Sequence, residues 1–131
     1  MAEIQLIKVS KSWGDFNAVV DFNLTIKNKE FLVLLGPSGC GKTTTMRMIA
    51  GLEDLTDGII KIDNKIVNDL EPKDRDISMV FQSYGLYPNM TVFENVRFPL
   101  KIRKIPKNDH NNLVMKAINH VELGDFCHRK P

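Results

Sequence analysis

Hydrophobic residues follow two different patterns along the chain. Near the N-terminus, apolar and polar positions alternate, which is typical of half-buried strands in an antiparallel sheet. The apolar positions of this pattern are Ile4, Leu6, Val20, Phe22, Leu24 and Ile26. Two later runs, 31–35 (FLVLL) and 77–81 (ISMVF), are apolar almost throughout. Such runs predict strands that are covered on both faces, as in a parallel sheet.

Helical periodicity follows each of these runs. From Lys42 the pattern predicts a helix with Met46, Ile49 and Ala50 on its buried side, closed by Gly51. Later, Thr91 and Glu94 form a capping box that predicts a helix start, and Pro99 is expected to bend or end that helix. Residues 107–123 predict a further amphipathic helix. Its inward positions are Leu113, Val114, Ala117, Ile118 and Val121.

A small hairpin is predicted between the two apolar runs. Short β-prone stretches lie around a glycine turn at Asp57 and Gly58 and a second turn at Asp63 and Asn64. Antiparallel strands together with apolar runs that lead into helices indicate a chain of the α/β class.

Composition and charge exclude several kinds of partner. The formal net charge is only +2, and the basic residues are scattered, so we expect no nucleic-acid partner and no polybasic membrane anchor. The two cysteines lack metal or redox spacing, which predicts free thiols. No apolar run approaches the ~20 residues of a spanning helix, so any membrane role is expected to come through a partner.

The remaining titratable clusters predict no further chemistry. The three histidines have no base or metal partner at useful spacing and are expected on the surface or on helix flanks; they are His110, His120 and His128. A charged cluster precedes the second apolar run and is interpreted as a solvated turn; it consists of Asp74, Arg75 and Asp76.

The clearest chemical motif lies between the first apolar run and the first predicted helix. Residues 36–43 (GPSGCGKT) satisfy G-x-x-x-x-G-K-[ST] in the strand-to-helix context that this motif requires. Glycines allow backbone N–H groups to surround phosphate oxygens, and the helix N-terminus adds unpaired donors. Lys42 would contact the outer phosphates, and the Thr43 hydroxyl would bind Mg²⁺. The alternative is a plain strand-to-helix turn. Cys40 is interpreted as a small residue that fits between two glycines, and the alternative is a thiol made nucleophilic by the helix terminus.

Two longer stretches carry a more specific resemblance. Residues 36–58 (GPSGCGKTTTMRMIAGLEDLTDG) and 77–96 (ISMVFQSYGLYPNMTVFENV) resemble the ATP-binding subunit of ABC transporters. These stretches are most similar to the ATP-binding subunits of importers for maltose, multiple sugars or glycerol phosphate. Polyamine importers share much of the same sequence. A small-molecule kinase is the weaker alternative, because about 30 residues of antiparallel sheet precede the loop. A GTPase is disfavoured because N-K-x-D and D-x-x-G are missing.

The resemblance implies a set of site residues. Trp13 would stack on adenine, and Gln82 would reach Mg²⁺ and the attacking water, so that Lys42 and Gln82 are the catalytic candidates, and Thr43 and Gln82 the metal ligands. The residues implied in ATP binding are Trp13, Gly36, Pro37, Ser38, Gly39, Cys40, Gly41, Lys42, Thr43 and Thr44. Ser83 to Met90 would face a transmembrane permease, and a second ATP-binding subunit would complete a homodimer. The protein would then be cytoplasmic and peripheral on the inner face of the membrane.

The resemblance also implies an organisation. We expect a P-loop NTPase core with a partial parallel sheet (31–56 and 71–82), an antiparallel β part (1–30 and 57–70) and the start of a helical subdomain (83–131). The sequence has no Asp-Glu dipeptide, which hydrolysis in the family requires, nor the signature segment and later histidine. The chain is therefore expected to be the N-terminal part of one such domain. The alternative function is a nucleotide-binding or interaction module that hydrolyses nothing.

Overall fold

The protein consists of two compact units in its computed structural model, which describes residues 2–81 and 83–131. The first unit ends at Met79, and the second begins at Val80. The first contains the sheet and one helix, and the second is helical. None of the helices in the described ranges is both long and apolar enough to cross a bilayer.

The sheet of the first unit is antiparallel, as the alternating pattern predicts. Its strands are β1 (Ile4–Trp13), β2 (Phe16–Ile26), β3 (Asp57–Ile62) and β4 (Lys65–Ile66). They lie in the order β2-β1-β3-β4. β1 and β2 form a hairpin in which Trp13 pairs with Phe16 at the tip. The predicted strands at the N-terminus are therefore confirmed.

A bulge in β2 overturns one predicted core position. Between the pairs Val9 with Phe22 and Lys11 with Val19, β1 advances two residues while β2 advances three. One extra residue on a strand reverses which side chains face inward. Asp21 adopts φ 46° at this point. Val19 is consequently buried, whereas Val20, which was predicted to be inward, is exposed.

The predicted hairpin at 57–66 forms, although only one of its two turns does. β3 and β4 join through Asp63 and Asn64, which have φ 47° and 63°, as a two-residue hairpin turn of type I′ requires. Gly58 lies within β3 rather than in a turn. A Cβ atom at Gly58 would lie 2.4 Å from the carbonyl oxygen of Lys8, so this glycine allows β3 to approach β1 closely.

Helix α1 (Lys42–Ala50) lies in the same unit and ends at Gly51, which has the left-handed φ of 72° expected of a C-cap. Its most buried side chain is Met48, which is fully enclosed by the core of the sheet, whereas Met46, predicted to be inward, is about half exposed. The central core residues of the unit each have less than a tenth of their surface exposed; they are Leu6, Val9, Val19, Met48, Ile60, Ile62 and Val67.

The two apolar runs do not form the predicted buried strands. Neither 31–35 nor 77–81 is part of a strand. Phe31 is 89% exposed and Leu35 is 87% exposed, while Leu32 and Leu34 are partly buried. A parallel strand obtains its hydrogen bonds and its cover from neighbouring strands, and no parallel pair occurs in the described sheet. The runs therefore remain irregular.

Arg75 is buried, which contradicts its interpretation as part of a solvated turn. Only 5% of its surface is exposed, whereas Asp74 and Asp76 are exposed. Its guanidinium donates hydrogen bonds to four carbonyl oxygens, those of Met48, Ile49, Leu70 and Asn68, at 2.8–3.1 Å. Burial lowers the pKa of this guanidinium, and the nearby carboxylate of Asp54 acts in the opposite direction.

Arg75 thereby joins the end of α1 to the segment after β4. The last carbonyl groups of a helix have no partner within the helix, and a cation is favourable at that end. Gly51 makes room for it, because a Cβ atom there would lie 2.5 Å from the Arg75 Nε atom. A short 3-10 turn, Pro72–Asp74, precedes the arginine and brings it to this position.

The second unit begins with helix α2 (Val92–Ile102), which carries the predicted capping box. The Glu94 amide donates to Thr91 Oγ1, and the Glu94 carboxylate accepts from the Thr91 amide at 2.8 Å. The hydrogen bonds from the Thr91 amide and hydroxyl to the Glu94 carboxylate lower the pKa of Glu94. Pro99 lies inside the helix and does not end it. The amides of Val92 and Phe93 donate to the carbonyl oxygens of Arg129 and Cys127.

Helix α3 (Lys107–His120) confirms part of the predicted inward face. Val114 and Ile118 are buried, whereas Leu113, Ala117 and Val121 are exposed. His110 is also buried, at 3% exposure, which contradicts its predicted surface position. Its Nδ1 atom accepts from Arg97 Nε at 3.0 Å, and its Nε2 atom lies 2.9 Å from the Ile105 carbonyl oxygen. This pair of partners fits the neutral ring with its proton on Nε2.

The other two histidines, His120 and His128, are exposed, as predicted. Both cysteines are free, also as predicted. A second 3-10 turn, Gly124–Phe126, follows α3.

We predict that Arg75→Lys lowers the free energy of unfolding by on the order of 2 kcal/mol, because an ammonium cannot reach four carbonyl oxygens in the plane of a guanidinium. Chemical denaturation followed by circular dichroism measures the change. Arg47→Lys, on the exposed side of α1, is the matched control. Equal stability of the two variants would contradict the structural role of Arg75.

We also predict that the chain alone self-associates through segment 31–35, because exposed apolar segments with unpaired backbone groups invite association. Size-exclusion chromatography should show a species larger than a monomer, and Phe31→Lys with Val33→Lys should shift it toward the monomer. Val20→Lys, at an exposed position of β2, serves as the control. A monomeric elution volume together with a cooperative thermal transition would refute the prediction.

Candidate functional site

The glycine-rich residues 36–43, called the phosphate loop below, lead directly into α1. Three glycines of this loop adopt positive φ: Gly36 at 156°, Gly39 at 83° and Gly41 at 88°. Gly41 is the N-cap of the helix. The amides of Lys42, Thr43 and Thr44 belong to the first helical turn, where the helix itself supplies no acceptor. The loop therefore presents backbone donors and the positive end of the helix dipole at one place.

Gly41 also fixes the loop against the sheet. A Cβ atom on this residue would lie 2.5 Å from the Ala18 carbonyl oxygen and 3.0 Å from Val19 Cγ2. The start of α1 thus rests directly on the backbone of β2. Behind it, Thr45 is buried and its hydroxyl donates to the Gly41 carbonyl oxygen at 2.9 Å.

The side chain of Lys42 folds back into the loop. Its ammonium donates to the carbonyl oxygens of Gly36 and Pro37 at 2.7 and 2.6 Å, and it lies 3.2 Å from Cys40 Sγ. An ammonium held this way places its charge inside the ring of backbone that the motif uses for phosphate. Ser38 and Thr43 are exposed at the rim, and Thr44 is partly buried.

A cleft of about 240 Å³ opens beside the loop. Its walls come from β2, from the irregular segment 31–35 and from the loop itself, and they include Val19, Leu34, Cys40 and Lys42. The apolar part of the cleft is therefore continuous with the polar phosphate loop.

Trp13 lies at the tip of the hairpin of β1 and β2, and 46% of its surface is exposed. Its ring stacks with that of Phe16, with centroids 6.3 Å apart and planes 13° from parallel. The ammonium of Lys11 lies 5.1 Å from the centre of the Trp13 ring. An exposed, partly stacked indole of this kind can accept another flat ring.

Lys11 is a residue that the sequence reasoning missed. It is 9% exposed and pairs with the carboxylate of Glu53 at 2.8 Å. Its hydrogen bond is the largest cause of the lowered pKa of Glu53. The ammonium also donates to the Asp54 carbonyl oxygen at 2.7 Å. A lysine at an alternate strand position gives no sequence signal of such pairing, because its partners are more than 40 residues away.

The predicted residue Gln82 lies outside the described residues. The adjoining segment, Ser83 to Met90, belongs to the second unit and displays Tyr84, Leu86 and Tyr87, which are 45–77% exposed. The phosphate loop and Trp13 both lie in the first unit.

Asn95 of α2 holds this exposed segment in place, a role that the sequence did not indicate. Its side-chain oxygen accepts from the Tyr87 amide at 2.9 Å, and its amide nitrogen donates to the carbonyl oxygens of Tyr87, Met90 and Thr91. The ring of Tyr87 packs on that of Phe98, with centroids 4.7 Å apart. The segment is thus built on the helix although its aromatic side chains are exposed.

Comparison with known proteins identifies the family. The family profile described as ABC transporter matches residues 19–131. The chain is 52% identical to the oligosaccharides import ATP-binding protein MsmX of Bacillus subtilis and 54% identical to the trehalose import ATP-binding protein SugC of Mycobacterium tuberculosis. Both alignments cover 100% of this chain, but only 36% and 34% of those proteins.

Solved structures show the same fold. A dimeric ATP-binding cassette in a post-hydrolysis state, bound to ADP and Pi, superposes with a TM-score of 0.84 at 33% identity. The match covers 98% of this chain and 61% of that one. The chain therefore belongs to the ABC transporter family, and its fold is part of the P-loop ATPase cassette.

We predict that Gly41→Ala distorts the phosphate loop and lowers the free energy of unfolding by about 1 to 3 kcal/mol, since the residue has positive φ and its Cβ would strike β2. Gly39→Ala is the matched control, because its φ is also positive but its Cβ would meet nothing within 4 Å. Thermal unfolding of both variants measures the difference. The prediction fails if Gly39→Ala is at least as destabilising as Gly41→Ala.

Proposed function

We propose that this chain binds Mg·ATP and forms part of the ATP-binding subunit of an ABC importer, in which binding and hydrolysis of ATP drive uptake of a solute, most simply a sugar. The observation that carries the proposal is the Lys42 ammonium held inside a glycine loop at the start of α1. Membership of the family supports it.

The loop residues have distinct roles in this proposal. Backbone amides of residues 38–44 donate to phosphate oxygens, and Lys42 exchanges the carbonyl oxygens of Gly36 and Pro37 for the outer phosphates. Thr43, which is exposed on the first turn of α1, would bind Mg²⁺ through its hydroxyl. The metal, when bound, neutralises developing charge on the phosphates, and Gln82 would contact the metal and the attacking water.

Trp13 is proposed to hold the adenine. Its exposed surface and its parallel arrangement with Phe16 support stacking on a flat base. Stacking of a base on an aromatic ring contributes on the order of 1 to 3 kcal/mol. The hairpin that carries Trp13 also supplies Ala18, which supports Gly41 of the loop. The hairpin of β1 and β2 would therefore position both the base and the phosphates.

Transport would require two protein partners, a membrane permease and a second ATP-binding subunit. The exposed aromatic segment Ser83 to Met90, fixed by Asn95, is proposed to receive a helix of a transmembrane permease. The dimeric relative supports assembly with a second ATP-binding subunit. The protein would then lie on the cytoplasmic face of the membrane. The relatives named for sugar import support a sugar as the solute.

We predict that ATP protects Cys40 from alkylation, because the thiol lies in the loop beside Lys42. With Mg·ATP at roughly ten times its dissociation constant, the labelling rate should fall about tenfold. Mass spectrometry of labelled peptides measures this, and Cys127 is the internal control. Lys42→Ala should abolish the protection. Equal labelling of Cys40 with and without nucleotide would contradict ATP binding at this loop.

The same preparation separates an ATPase from a nucleotide-binding module. Phosphate release that Lys42→Ala abolishes would assign turnover to this chain. Protection of Cys40 without phosphate release would favour a module that binds nucleotide and depends on further sequence for hydrolysis.

A further inference from the structure

The buried ammonium of Lys11 joins two parts of the candidate site, the Trp13 ring and the segment after α1. Lys11 comes two residues before Trp13 on β1, and its side chain is 10% exposed. The ammonium faces three partners at once. They are the Glu53 carboxylate at 2.8 Å, the Asp54 carbonyl oxygen at 2.7 Å and the face of the Trp13 ring at 5.1 Å. A cation over an indole face is attractive, more so when it is partly removed from water.

The partners of Lys11 lie directly after the phosphate-loop helix. Glu53 and Asp54 follow Gly51, the residue that ends α1. The same segment is fastened to β1 by two further contacts, since the Thr56 amide donates to the Ser10 carbonyl oxygen at 2.8 Å and the Ser12 amide donates to Thr56 Oγ1 at 3.0 Å. The backbone on both sides of Lys11 is therefore hydrogen-bonded to Thr56, and the Lys11 side chain connects the segment after α1 to the indole of Trp13.

We infer that Lys11 is a positioning residue for nucleotide binding, which holds the Trp13 ring in the orientation that receives the base and ties it to the segment after α1. The inference rests on the proposed function, because it assigns adenine to Trp13. Lys11 itself contacts neither base nor phosphate in this scheme. It acts through the indole, and its loss would leave the phosphate loop intact.

This scheme separates the base from the phosphates experimentally. Adenosine triphosphate uses both Trp13 and the loop, whereas inorganic tripolyphosphate uses the loop alone. Titration calorimetry with each ligand, in the presence of Mg²⁺, reports the two contributions. Trp13 is the only tryptophan of the chain, so its fluorescence and its quenching by acrylamide report the setting of the ring directly.

We predict that Lys11→Met weakens ATP binding about fivefold, because an indole that the cation no longer holds must be ordered when it stacks on the base, and leaves tripolyphosphate binding unchanged. Methionine keeps most of the length of the side chain and removes the charge. Acrylamide quenching of Trp13 should increase in the same variant. Lys65→Met, on the exposed strand β4, is the matched control and should change neither affinity nor quenching.

A second variant keeps the test decisive if Lys11→Met fails to fold. Glu53→Gln keeps an acceptor both for Lys11 and for the Trp13 side chain, with which Glu53 also interacts, but removes the charge opposite Lys11. It should weaken ATP binding about twofold with unchanged tripolyphosphate binding. Equal weakening of both ligands would make the role of Lys11 general stability and overturn the inference. Unchanged ATP affinity would also overturn it.

Failure of the inference is distinguishable from failure of the proposed function. If Trp13→Ala weakens ATP but not tripolyphosphate while the Lys11 and Glu53 variants bind normally, only the role of Lys11 is lost. If Trp13→Ala binds ATP as the parent chain does, adenine stacking and the inference both fail. If the parent chain binds neither ligand, the proposed function fails with them.

Discussion

The position of helix α1 depends on the buried guanidinium of Arg75. A helix that presents its N-terminus to a ligand must be held at its other end, where free carbonyl groups would otherwise face the protein interior. Arg75 satisfies two of these carbonyl groups, and its two other hydrogen bonds attach the helix to the chain after β4. At the opposite end, Gly41 rests on β2. The phosphate loop is thereby located by contacts at both ends of one short helix.

The site can be understood as an extension of this frame. The hairpin of β1 and β2 supports the loop through Ala18 and carries Trp13 at its tip, and Lys11 connects that tip to the residues after α1. Base and phosphate contacts would thus depend on one sheet rather than on independent loops. Rigid elements that carry binding groups reduce the entropy lost when a ligand binds.

The sequence predicted the features that depend on local chemistry. The alternating strands, the capping box of Thr91 and Glu94, and the glycine that ends α1 all follow from short-range rules, and the structure contains them. The family and the fold class were likewise readable from two stretches of sequence. The roles of Trp13, Lys42, Thr43 and Gln82 remain predictions.

Features that depend on distant partners could not be predicted. The bulge that exposes Val20 arises from the pairing register of β1 and β2. Arg75 is buried because folding brings it to carbonyl groups such as that of Met48, and His110 is buried beside Arg97, which donates to its ring. The predicted strands at 31–35 and 77–81 were wrong for a related reason. An apolar run indicates that a segment favours apolar contacts, but a strand forms only where neighbouring strands pair with it.

The carbonyl groups of Cys127 and Arg129 accept hydrogen bonds from the first amides of α2, so the order of synthesis affects how the second unit forms. These acceptors are more than 30 residues further along the chain and are synthesised after the helix. During translation the capping box alone must hold the helix start, and the completed arrangement can form only once the residues after α3 have left the ribosome.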